Sequence, residues 1–273
     1  MPSATIEQPI DQNLISFGIF AKVHLLDGTV VRKVPRSNSQ EDAQPILREA
    51  TVYNTLGDHP RIAQCLSRGR TDYVDVKYYP NGDLVAYLQK HKSSITPGLR
   101  LKWFQQIIEA VDHIHEHGVI HSDMALRQFF LDDHLNARLG DFNSSQCPGQ
   151  PALGFEKASH CLPRDYEEPN TITSDLFALG STLYELVAGK APYSDLYPVE
   201  SEAVMRSDDA AVIAARIERH QQADSKIEAL YIQQNFPDVS CVFGGDVILG
   251  CWKGEFSSAK VALVTYAAFI KMF

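Results

Sequence analysis

The chain has 273 residues, 25 Lys and Arg against 34 Asp and Glu, and a net charge of −9, with 44% apolar, 10% aromatic and 22% charged positions. That apolar fraction excludes a disordered chain, and 16 scattered Gly and 14 Pro exclude a collagen-like one. The acidic balance, without any extended Lys/Arg run, argues against nucleic acid as a partner.

Residues 12–35 alternate apolar and polar positions around Asp27-Gly28 and predict a hairpin. In EDAQPILREATVYNTLG, Ile46, Glu49/Ala50, Tyr53 and Leu56 recur at helical spacing, with Gly57 at the C-cap position. Residues 62–79 predict two short strands, and Tyr79-Pro80-Asn81-Gly82 is turn chemistry suited to a boundary. From Asp83 onward the pattern is mainly helical: Leu101, Phe104, Ile107/Ile108, Val111 and Ile114 make one stripe, and a second helix runs over 174–187. Residues 194–230 are polar without a clear period, and 261–270 read as a buried helix, too short to cross a bilayer. Strands with one helix followed by many helices predict an α+β fold, a small sheet lobe and a larger helical lobe. Five cysteines without CxxC spacing and a polar, acidic start without signal-peptide features point to an intracellular, cytoplasmic protein with reduced thiols and no membrane span. His113, His115 and His117 offer only one i, i+4 pair and no third ligand, so no metal site is expected there.

The segment VIHSDMALRQFFLDDHLNARLGDFNSS at 119–145 follows the first long helix directly. Its His121, Asp123 and Asp141-Phe142 resemble, in order and spacing, the H-R-D loop and D-F-G motif of the protein kinases. Lys33 in VVRKV, Glu49 in LREAT, HPRI at 59–62, Ser174-Asp175 with Gly180, and Cys251-Trp252 extend the resemblance over about residues 14 to 273.

The resemblance implies a two-lobed kinase-like fold, with a tail at 1–13, a sheet lobe over about 14–79 and a helical lobe over about 80–273. It implies ATP and Mg²⁺ as cofactors and a protein substrate or protein partner. Lys33, Glu49 and Asp123 become the catalytic candidates; Gly18, Val23, Val31, Lys33, Tyr78 and Tyr79 the nucleotide-binding ones; Asp141 and Gln128 the metal-binding ones. Phosphoryl transfer asks for such groups because several phosphate charges must be neutralised and a hydroxyl aligned.

Several positions depart from the pattern. Residues 16–23 keep one glycine of three, with Ser16 and Ala21 in the other places, which weakens a grip on phosphates. Gln128 stands for an asparagine, and Asn143 for the third residue of D-F-G, where Asn tolerates the expected positive φ. Ser122 replaces the arginine that in many kinases grips an activation-segment phosphate, Arg164 falls on the glutamate of A-P-E, and Ala259 on its partner arginine. Ala125 and Arg127 have the tyrosine-kinase style, which leaves Ser/Thr or Tyr open as acceptor. Two functions stay open: a divergent protein kinase, or a weak or inactive pseudokinase that serves as a binding scaffold.

Overall fold

The computed structural model describes residues 13–270, so the tail assigned to 1–13 lies, but for Asn13, outside the described residues. Four antiparallel strands form one sheet in sequential order: β1 (Leu14–Phe17), β2 (Lys22–Leu26), β3 (Val30–Val34) and β4 (Val74–Lys77). The predicted hairpin is therefore part of a meander. Its β2–β3 turn rests on Asp27 (φ 45°) and Gly28 (φ 74°), the paired left-handed conformation that matches strand twist. Only one of the two strands expected in 62–79 forms. Residues 62–65 instead bridge in two directions, Ile62 to Leu139 and Cys65 to Val76, and so tie the sheet to the helical lobe.

Helix α1 (Gln40–Leu56) packs beside this sheet; Ser39 caps its start and the Gly57 N–H closes its end on Tyr53 O. Beyond the connection at 78–83 come α2 (Leu84–Lys90), α3 (Pro97–Glu116), the small antiparallel pair β5 (Phe129–Leu131) and β6 (Ala137–Leu139), and α4 (Ile172–Ala188). There follow α5 (Glu202–Met205), α6 (Ala210–Ile232), α7 (Gly245–Trp252) and α8 (Ala259–Ile270). The two-lobed α+β architecture is the one expected.

The α3 stripe is core as its spacing required: Phe104, Ile107, Ile108, Val111 and Ile114 are all wholly buried. Helices α4 and α7 approach closely at Gly180, where an added Cβ would lie 2.8 Å from the Cys251 Cβ. Two expectations need correction. The 23-residue α6 begins within 194–230 and runs on to Ile232, hidden because only Ala223, Ile227 and Tyr231 are buried on it. Helix α8 is amphipathic in placement rather than buried: Ala259, Ala262 and Tyr266 face inward while Val264 is 66% exposed. Among the described residues no helix is long and apolar enough to cross a membrane.

Candidate active site

Between the two lobes lies a cavity of about 960 Å³. Gly18, Val23, Val31, Lys33, Tyr78 and Tyr79, the residues expected at a nucleotide, all line it, as do Asp123, Gln128 and Asp141. Glu49 stands behind them, its side chain wholly buried under Lys33.

The wall on the sheet side follows from β2, β3 and the turn before them. Val23 and Lys33 are cross-strand partners on neighbouring strands, so they face the same side of the sheet. The turn at 18–21 closes with the Gly18 N–H on Ala21 O at 2.9 Å, and Ala21 is buried where the second missing glycine would stand. At the rear the Tyr78 N–H bonds Thr29 O at 2.7 Å, and the Tyr79 hydroxyl accepts from the Gln64 N–H at 3.0 Å.

Lys33 Nζ sits 2.9 and 3.0 Å from the Glu49 oxygens and 2.5 Å from Asp141 Oδ1. Residues from β3, α1 and the segment after β6 thus meet at one ammonium. Burial alone would lower the Lys33 pKa, but attraction to Asp141 and Glu49 outweighs it and holds the group above its ordinary value. Asp141 is opposed by burial yet held below the usual carboxylate range by Lys33, while loss of solvent pushes Glu49 upward. Asp141 also accepts from the Asn143 amide at 2.8 Å. That local bond draws Asn143 into the 3₁₀ turn Phe142–Ser144, so the left-handed residue is Asp141 itself (φ 63°), not Asn143 as expected.

Asp123 is held by its own loop: Oδ1 lies 2.5 Å from Arg127 Nη2 and Oδ2 accepts from Gln128 Nε2 at 2.9 Å. Gln128, expected as a metal ligand, thus commits its amide nitrogen to Asp123. The loop backbone rests on the wholly buried Asp175, which accepts from the His121 and Ser122 N–H groups at 2.7 and 3.1 Å and contacts His115 Nε2 at 3.0 Å. His121 in turn reaches Gly140 O, and Phe142 packs between the His121 and Tyr53 rings. His113 stacks on His59, and no cluster of three or more metal-ligating side chains occurs among the described residues.

One contributor was missed by the sequence reading. Arg48, next to Glu49 and 5% exposed, donates Nη1 to Ser145 O and to Pro151 O (2.5 Å) and Nε to Gln150 Oε1 at 2.9 Å. No signal in the sequence marked it, since its burial depends on contacts about a hundred positions away. Phe155 and Lys157 also line the cavity from the far end of this segment. Arg164, standing where a glutamate was expected, pairs with Glu156 at 3.4 Å and with Asn170, while Ala259 is wholly buried.

Among curated proteins the chain is similar to the hormonally up-regulated neu tumor-associated kinase of Mus musculus, 26% identical over 196 residues, 65% of this chain and 27% of that protein. It is 30% identical over 163 residues to serine/threonine-protein kinase Nek3 of Mus musculus, 56% of this chain and 32% of that one. With serine/threonine-protein kinase ppk16 of Schizosaccharomyces pombe it shares 28% over 199 residues, 67% of this chain and 29% of the other. The chain therefore spans about a third or less of the length of these relatives. Residues 19–238 match the protein kinase domain as a family, a stretch that takes in both lobes and every charged candidate from Lys33 to Asp141, and the chain belongs to that family.

Proposed function

We propose that this domain, taken as residues 14–273, is a protein kinase that binds ATP with Mg²⁺ in the interlobe cavity and transfers the γ-phosphoryl group to a protein hydroxyl. The observation that carries this reading is the buried ammonium of Lys33, held by Glu49 and in contact with Asp141, in the same cavity as Asp123. A cation fixed by a buried carboxylate is a positioned charge for phosphate, which is most of what phosphoryl transfer needs from a protein.

The donor set also suits Mg²⁺. Asp141 offers a hard carboxylate oxygen of the kind this ion prefers, held below the usual carboxylate range by Lys33. When bound, Mg²⁺ would neutralise phosphate charge. Asp141 would hold it, with Gln128 as the second candidate. Lys33 would hold the α/β-phosphates, Val23 and Val31 would cover the base, and Tyr78 and Tyr79 would border it. Asp123 would accept the proton of the incoming hydroxyl once its oxygen turns from Gln128 or Arg127. Two relatives are serine/threonine kinases by name, which favours Ser/Thr as acceptor, and five unpaired thiols favour an intracellular site.

A second reading, a scaffold with little or no transfer, is favoured by the closed state of Asp123 and by Ser16 and Ala21 in place of glycines. Transfer of labelled γ-phosphate from Mg·ATP to the protein and to a general substrate separates the two. Asp123→Asn should lower transfer by roughly 10²–10⁴-fold. No transfer by folded wild type would establish the scaffold, and equal rates for both forms would refute the role of Asp123.

A further inference from the structure

The chain from 144 to 160 is pinned on both sides of Lys157. The Leu153 N–H bonds Ser144 O at 2.9 Å, the His160 N–H bonds Lys157 O at 2.7 Å, and the Tyr231 hydroxyl of α6 donates to Ser159 O at 2.7 Å. Between these ties Glu156 is buried and pairs with Arg164 at 3.4 Å. Lys157 has extended backbone (φ −63°, ψ 152°), and side chains on an extended chain alternate in direction. With Glu156 turned inward, its neighbours Phe155 and Lys157 turn the other way, and both line the interlobe cavity.

This stretch starts where the turn at 18–21 meets the segment after β6. A Cβ added to Gly154 would lie 3.2 Å from Ser144 Oγ and 3.9 Å from the Phe20 ring. The Ser144 hydroxyl donates to Asn143 Oδ1 at 3.0 Å, and the Asn143 amide donates to Asp141 at 2.8 Å. Lys157 is three residues further on, at most about 10 Å of chain.

Charge singles out Lys157 among the cations here. Those lining the cavity are Lys33, Lys77, Arg127 and Lys157. Lys33 is held by Glu49 and Asp141, Arg127 by Asp123 at 2.5 Å, and Lys77 by Asp133 at 3.2 Å. Among the described residues the Lys157 ammonium has no hydrogen-bond or ion-pair partner. The turn at 18–21 adds little, because its Gly18 N–H is spent on Ala21 O at 2.9 Å. A free ammonium at this end is the group left to meet the terminal phosphate of a nucleotide.

We propose that Lys157 is a further catalytic residue, its ammonium binding the γ-phosphate of ATP while Lys33 serves the α/β-phosphates; this role rests on the reading of the cavity as a site for ATP. In the transfer, the acceptor hydroxyl oxygen bonds to the γ-phosphorus as the bond from that phosphorus to the β,γ-bridging oxygen breaks. The electron pair leaves on ADP, and the hydroxyl proton goes to Asp123. Charge is spread over the γ-oxygens during this step, and Lys157 neutralises part of it without exchanging a proton.

Binding is measured before activity. ADP and the β,γ-imido analogue of ATP, which resists transfer, are titrated calorimetrically into the full chain with Mg²⁺. In Lys157→Met the analogue should lose about tenfold or more in affinity, the scale of one charge-assisted contact, while ADP binds as to wild type. Lys157→Arg should recover most of that loss. Lys157 is exposed, so neither change disturbs the core. In transfer assays Lys157→Met should lower kcat and leave KM for a peptide acceptor unchanged. An equal ratio of the two nucleotide affinities in wild type and Lys157→Met would overturn this role and leave the ATP site standing, whereas folded wild type that binds neither nucleotide would overturn both. A defect confined to KM for the peptide would also overturn it, marking Lys157 as a contact to acidic side chains of the substrate.

Discussion

At the scale of residues, Lys33 is the single cation between two carboxylates, and its removal has consequences that reach beyond lost ligand contact. Glu49 is wholly buried, and loss of solvent already pushes its pKa up, with Lys33 opposing. In Lys33→Met, Glu49 and Asp141 face each other without a cation. Breaking a buried pair from one side costs about 3–5 kcal/mol. The cost is pH-dependent with a definite sign. A carboxyl whose folded pKa lies above its unfolded value takes up protons on folding, so its contribution is greatest at low pH and fades as pH rises through the folded pKa. The melting temperature of Lys33→Met should therefore fall well below wild type at pH 7.5, and the gap should narrow at pH 5.5. A gap of constant width across that range would mean Glu49 is not the group left uncompensated.

Among the elements, the segment after β6 is held to α1 by Arg48. Its guanidinium serves two main-chain carbonyls and the Gln150 side chain, while Ser122 occupies the place from which an arginine would grip a phosphate. Glu49 is the next residue on the same helix, so this anchor and the Lys33 contact position α1 together. Hydrogen bonds from a charged donor are worth about 1.5–3 kcal/mol, and of the carbonyls left behind that of Ser145 is buried. Arg48→Met should raise amide exchange over 144–153 and cut kcat more than it changes KM for ATP, with Arg48→Lys partly restoring both. A loss confined to KM would place Arg48 at the nucleotide instead. The existence of α1 was plain from the spacing of Ile46, Tyr53 and Leu56, but Arg48 was not, since nothing local tells a buried arginine from a solvated one. Helix α6 escaped notice for the opposite reason. Most of its faces carry acids, amides and basic residues, and only Ala223, Ile227 and Tyr231, at intervals of four on its inward side, betray a helix.

For the molecule as a whole, the legible part was the set of charged motifs in register, because their spacing reflects the path of the chain between lobes. What stayed hidden was how those charges are spent. That Gln128 donates to Asp123, and that residues 62–65 bridge both lobes, depends on contacts between segments far apart in sequence. The Lys33 to Asp141 contact spans 108 positions and joins the sheet lobe to the helical one. A ligand engaging both residues should therefore stabilise both lobes together, by about 2.7 kcal/mol at a hundredfold excess over Kd, or roughly 5–10 °C for a domain of this size. The metal part of that increment must pass through Asp141, whose carboxylate is 30% exposed to the cavity and held in its charged form by Lys33. ATP should thus raise the melting temperature more with Mg²⁺ than with chelator, and Asp141→Ala should erase the difference while leaving the chelator value near wild type. If ATP stabilises the wild type equally with Mg²⁺ and with chelator, Asp141 is not a metal ligand, and its role reduces to holding Lys33 across the interlobe cavity.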